Sequence, residues 1–218
     1  MRENNMMSNN NLLSDKNLDN YGFVTFKQLL EVVTTKTNLE PSFFLYEEKD
    51  YEREKSIIPN NGLIINNNNT FNRVYGPIKD NHFREGCVYA MLITSSDPNY
   101  IFQEILKNKS LKPLDSLRVA KVGETSKTYY ERLGSYNAGK NRNTKTASRT
   151  NVAINQSKLN SNYNIITIGF QVEPSVCLKN PLLKGDVGYN SNYIGLLYKS
   201  PESEILKSLP PLPMCVQK

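Results

Sequence analysis

The chain has 218 residues, 38% of them hydrophobic and 10% aromatic, enough for one compact core with a small extension. It carries 27 Lys and Arg against 21 Asp and Glu, a net charge of +6 and a pI of about 9.1, a balance that favours an anionic partner. One histidine and three widely spaced cysteines (Cys87, Cys177, Cys215) exclude a disulfide framework and a zinc site built on several His or Cys. No apolar run approaches the roughly 18–20 residues of a membrane span, and the first residues lack the apolar core of a signal peptide. The expected setting is cytoplasmic, with no membrane partner and no organic cofactor.

Residues 1–19 are rich in Asn and poor in apolar side chains, the composition of a disordered tail. Phe23 to Phe26 reads as a short extended entry, and Lys27 to Val33 as an amphipathic helix. Residues 38–60 are mixed and acidic, with Phe43, Phe44, Leu45 and Tyr46 as a buried piece. Asn60 to Asn69 reads as a turn, a short strand and a second turn. Residues 20–80 thus form a nearly neutral N-terminal extension, expected to serve dimerisation or DNA contact, with a boundary near residue 80.

The second part alternates more clearly. Gly86 to Thr94 is a near-continuous apolar run of strand length, fit for a central strand. Ser95 to Pro98 is a turn, and Tyr100 to Lys107 carries apolar residues at 101, 102, 105 and 106, a helical pattern; both fall in an insertion over 95–117. Leu117 to Gly123 is a second strand. Thr125 or Ser126 caps a helix running to about Ser135, and residues 137–150 form a basic loop. Asn164 to Val172 is a third strand. Ser200 as N-cap and Pro201 at the first helical position open a last helix, Glu202 to about Leu209, which Pro210-Pro-Leu-Pro stops. The expected fold over 81–218 is α+β, a small central antiparallel or mixed three-stranded sheet flanked by helices.

Charge is concentrated in one place. Between Arg118 and Lys158 stand nine bases and two acids, Glu124 and Glu131, a local excess of seven. On the expected helix Tyr129, Arg132 and Tyr136 fall on one stripe, while Tyr130 and Leu133 seat the helix on the sheet. A planar guanidinium holds phosphate and stabilises charge growing on it. A tyrosine positions or deprotonates water, and a carboxylate holds a hard divalent cation. Phosphodiester hydrolysis needs all three. Each residue also has a plainer reading. Tyr89 in an apolar strand is a core aromatic, Lys121 and Arg132 are solvated charges, and Glu202 suits a helix N-terminus without any metal. His82, with no Ser or Cys motif beside it, reads as structural or surface. Gly134 and Gly139 do not make a phosphate loop.

Taken in order, these motifs resemble the GIY-YIG nuclease family over residues 86–214. Cys87-Val-Tyr89 stands where the family has Gly-Ile-Tyr, and Lys121-Val-Gly123 where it has Tyr-Ile-Gly. Some type II restriction enzymes of the family similarly carry lysine there. Arg132 stands at the usual distance behind the second motif, and Tyr136 where the family often has His or Tyr. Glu202, followed by Ile205-Leu206, Lys207 and Pro211, repeats the order around the family's metal ligand. The family's asparagine after that proline has no counterpart, and Met214 stands near its place. The first two motifs are 32 residues apart, longer than in compact members. A literal Tyr193-Ile-Gly195 is a decoy, since no basic amphipathic helix follows it.

The resemblance implies a sequence-specific double-stranded DNA endonuclease of the type II restriction kind, acting as a homodimer. It implies one Mg²⁺, with Mn²⁺ able to substitute, bound by Glu202. By the same resemblance Tyr89 activates or orients the attacking water and Lys121 helps activate or hold that nucleophile. Arg132 holds the scissile phosphate and Tyr136 assists. Lys127, Lys140, Arg142, Lys145 and Arg149 would contact the DNA. Two alternatives stay open: a nucleic-acid-binding module on the same scaffold without catalysis, and a mobile-element or viral nuclease of looser specificity.

Overall fold

The structure, a computed structural model, describes residues 23–37, 39–46, 61–66, 70–75, 87–125, 164–171 and 201–215. Among these are six strands, β1 (Pro41–Tyr46), β2 (Asn61–Ile65), β3 (Phe71–Tyr75), β4 (Cys87–Thr94), β5 (Arg118–Thr125) and β6 (Asn164–Gln171). Three α-helices accompany them, α1 (Phe26–Lys36), α2 (Pro98–Asn108) and α3 (Pro201–Lys207). The strands form one sheet in the order β3-β2-β1-β6-β4-β5. Every neighbouring pair is antiparallel.

The expected three strands are present as β6-β4-β5, but the sheet is larger than three. β1 pairs antiparallel with β6, and β2 and β3 extend it outward. The reason lies in Phe43 to Tyr46. Phe44 and Tyr46 belong to one buried cluster and Phe43 and Leu45 to the other. A strand with apolar side chains on both faces needs covered sheet on both sides, and the place beside β6 supplies it.

β4 occupies the centre of the β6-β4-β5 group, and all eight of its residues are buried. Its alternation divides the core. Val88, Ala90 and Leu92 join the main cluster, whereas Cys87, Tyr89 and Met91 join the second with Phe43, Leu45 and Val74. The helices lie over the first face. α1 begins in a capping box in which Thr25 Oγ1 accepts from Gln28 N–H and Gln28 Oε1 accepts from Thr25 N–H. It buries Phe26, Leu29 and Val33, spaced for one helical face. α2 starts at Asp97 as N-cap with Pro98 in its first turn, and buries Ile101, Phe102 and Ile105. Phe102 packs against Phe44 and Tyr46 of β1, and the Tyr46 hydroxyl bonds the Asn99 side chain.

One boundary shifts. The second strand, expected to end at Gly123, runs on to Thr125, which is buried and paired opposite Cys87; an extended backbone there is also that of a helix N-cap. A β-branched side chain with a covered face continues the strand. The helix expected to end near Ser135, the basic loop and residues 1–19 lie outside the described residues. Among the described residues no helix is long and apolar enough to cross a membrane.

Candidate active site

The β4–β5 ladder sets the first part of the site. Tyr89 stands directly opposite Gly123, and Met91 opposite Lys121. Side chains alternate along a strand, so Tyr89 and Lys121 share the face away from the helices. Tyr89 is fully buried. A Cβ built on Gly123 would lie 2.5 Å from both Cζ and Oη of Tyr89. The glycine of Lys121-Val-Gly123 is therefore a steric requirement: it leaves space for the tip of the tyrosine ring. On the other side of Tyr89, β6 presents Gly169, whose space is taken by the ring of Phe43.

The second part forms on the outer edge of β5, the last strand of the sheet. Backbone groups of an antiparallel strand point alternately toward and away from the partner, and three outward groups of β5 are bonded by residues 202–215. Glu124 N–H donates to Glu202 Oε2 at 2.9 Å. Val122 O accepts from the Cys215 thiol at 3.4 Å, and Ala120 O accepts from Met214 N–H at 2.9 Å. An edge that would otherwise offer unpaired groups to another chain is covered. Apolar packing seats the same segment, since Ile205, Leu212 and Met214 are buried.

Glu202 and Glu124 are bonded reciprocally, because Glu202 N–H also donates to Glu124 Oε2 at 3.3 Å. Both side chains are half-buried. Cys215 senses the same neighbourhood. Burial pushes its thiol up; the charge of Lys121 pulls it down, and the charge of Glu202 raises it. Lys121 and Glu202 thus both act electrostatically on one sulfur.

Tyr89, Lys121 and Glu202 accordingly all adjoin β5: Tyr89 lies over Gly123, Lys121 stands at the middle of the strand, and Glu202 is bonded at Glu124. Arg132, Tyr136, Lys127, Lys140, Arg142, Lys145, Arg149 and His82 lie outside the described residues, as do Ser200 and Tyr193-Ile-Gly195. Met214 contributes its backbone N–H to β5. Glu124 entered the sequence reading only as a charge. Its bond to Glu202 spans 78 positions, and no local pattern announces such a contact.

Among the described residues no group of three or more His, Cys, Asp or Glu could cage a metal. Glu202 offers hard oxygen donors. Mg²⁺ is ordinarily held by one or two carboxylates together with substrate phosphates and water, so this residue fits such an ion.

No family model matches the chain, and no curated protein matches it significantly. Among solved structures it is similar to the restriction endonuclease HPY188I in complex with product DNA, at 16% identity over 83% of this chain and 84% of that one, with a TM-score of 0.35. The functional reading therefore rests on the chain's own residues.

Proposed function

We propose that the chain is a metal-dependent DNA endonuclease of the GIY-YIG kind, closest in residue pattern to the type II restriction enzymes. One observation carries this. Motifs at 89, 121–123 and 202 adjoin one strand, β5: Tyr89 lies over Gly123, and Glu202 is bonded to the next residue, Glu124. Their adjacency along one strand, from segments far apart in the chain, supports the reading.

In this reading Tyr89 orients the attacking water through its phenol oxygen, and Lys121, on the same face, helps hold and activate it. Arg132 holds the scissile phosphate and offsets the charge that grows on it. Tyr136 assists in placing water or phosphate. Glu202 holds the divalent cation, and Mg²⁺ or Mn²⁺ there would supply stabilisation of the leaving oxygen. Lys127, Lys140, Arg142, Lys145 and Arg149 contact the DNA backbone, which makes binding steeply salt-dependent. Cutting both strands of a palindrome calls for a homodimer, with residues 20–80 and 95–117 as the surfaces proposed for it.

The complete burial of Tyr89 favours a second reading, a nucleic-acid-binding module in which this tyrosine is only core. Incubating the purified protein with Mg²⁺ and a panel of DNAs, with EDTA as control, separates the two. Discrete fragments support the restriction-type nuclease, and a smear supports a nuclease of looser specificity. Salt-sensitive binding with no cleavage of any DNA supports the module and removes the enzyme.

A further inference from the structure

We infer that Glu124 is a positioning residue for Glu202, an inference that rests on the reading of Glu202 as the cation ligand. Two separate hydrogen bonds join the pair, and they act on different parts of Glu202. Glu124 N–H holds the carboxylate at Oε2, and the Glu124 carboxylate holds the backbone N–H of Glu202. The Glu202 side chain is thereby tethered at both ends, so that rotation about its bonds is restricted. A single bond at either end would leave the carboxylate or the helix turn free to shift. Both contacts pair a charged acceptor with a backbone N–H, the stronger class of hydrogen bond.

The base of this tether is β5, the strand that also carries Lys121 and lies under the ring of Tyr89. α3 brings Glu202 from a distant segment, and its seating against β5 and α1 sets its position only coarsely. Glu124 sets it finely, by locking the first turn of α3 to the strand that bears the rest of the site. Partners that orient a metal ligand typically change metal affinity or activity by 10–100-fold when removed.

Three substitutions separate geometry from charge. Glu124→Gln keeps an acceptor oxygen at the same reach and loses the charge. Glu124→Asp keeps the charge and falls short by one methylene. Glu124→Ala loses both. Binding of Mn²⁺ to each folded variant is followed by the electron paramagnetic resonance of the free ion, beside the Mn²⁺ concentration giving half-maximal cleavage. The expected result is affinity weakened by roughly 10–100-fold in Asp and Ala, and held within about threefold in Gln, with the half-saturating concentration moving in parallel and saturating Mn²⁺ restoring the rate. Wild-type affinity in Asp, or loss in Gln equal to that in Asp, overturns the inference. Should Ala not fold, the Gln and Asp pair still decides. Glu202→Ala distinguishes the two levels. If it binds Mn²⁺ and cuts as wild type, the reading of Glu202 fails; if it is inactive while Asp and Ala at 124 behave as wild type, only the role of Glu124 fails.

Discussion

Tyr89 and Gly123 face each other across the β4–β5 ladder, and the tyrosine ring fills the space that a side chain on Gly123 would need. The relationship binds the two signature motifs into one steric unit. It also explains in packing terms why a tyrosine in one strand is matched by a glycine in the next.

Gly123→Ala should therefore destabilise the fold, because a Cβ 2.5 Å from the ring tip forces Tyr89 or the strand to move. Overpacking of this kind costs about 1–3 kcal/mol, to be read as a lowered urea midpoint. Tyr89→Phe should not relieve it, because Cζ remains in place. Tyr89→Leu should, so that Tyr89→Leu with Gly123→Ala costs less than the sum of the single changes. Strict additivity would show that the ring does not lie over the glycine.

The cover on the β5 edge makes a claim about backbone, not side chain. Met214→Pro removes the N–H that bonds Ala120 O and leaves that carbonyl short of a partner. A loss of about 1–3 kcal/mol is expected. Met214→Leu keeps the N–H and nearly the same volume and should cost less than about 1.5 kcal/mol. Light scattering should show association beyond the proposed dimer in the Pro variant alone, since an opened strand edge pairs with other chains. Equal stability of the two variants would contradict the assignment.

Cys215 should be a sluggish nucleophile. Its thiol is raised above its ordinary value of 9.0, first by burial, and the thiolate is the reactive form. Peptide mapping after brief alkylation at neutral pH should find Cys215 modified more slowly in the native protein than in urea. The sign for stability follows from the raised folded value: the neutral thiol's contribution is complete below the ordinary value and is lost as pH rises through the folded one. Any loss thus falls on the alkaline side. Faster alkylation in the native state would reverse the picture of a buried, neutral sulfur.

Much of the strand and helix pattern was legible because it is local. The apolar run ending at Thr94 announced β4, the spacing of Ile101, Phe102 and Ile105 announced α2, and Pro201 announced α3. The outer half of the sheet was not legible in the same way. Phe43 to Tyr46 reads as buried, but nothing in those residues names β6 as the partner, and Phe71-Asn-Arg-Val-Tyr carries too little alternation to declare β3. Strand pairing is non-local, and register depends on what lies opposite. The run of β5 beyond Gly123 to Thr125 was not legible, because a threonine serves equally as cap and as strand residue, and only the covered face opposite Cys87 shows the strand continuing. Of the candidate site, Tyr89, Lys121 and Glu202 are singled out by ordered spacing, whereas Glu124 becomes visible only once Glu202 is folded against it.

The central claim is that Tyr89 acts in chemistry as well as in packing, and Tyr89→Phe tests it most directly. The substitution removes one oxygen and keeps the ring that fills the space over Gly123. Tyr46→Phe, which removes the hydroxyl bonded to Asn99, is the control for loss of a buried tyrosine oxygen. Rates of Mg²⁺-dependent DNA cleavage should fall by about 10²–10⁴-fold in Tyr89→Phe, the range for a positioned proton-transfer group, with stability within about 1.5 kcal/mol of wild type. Tyr46→Phe should cut at close to the wild-type rate. Cleavage by Tyr89→Phe at the wild-type rate would contradict the account and return Tyr89 to the core alone.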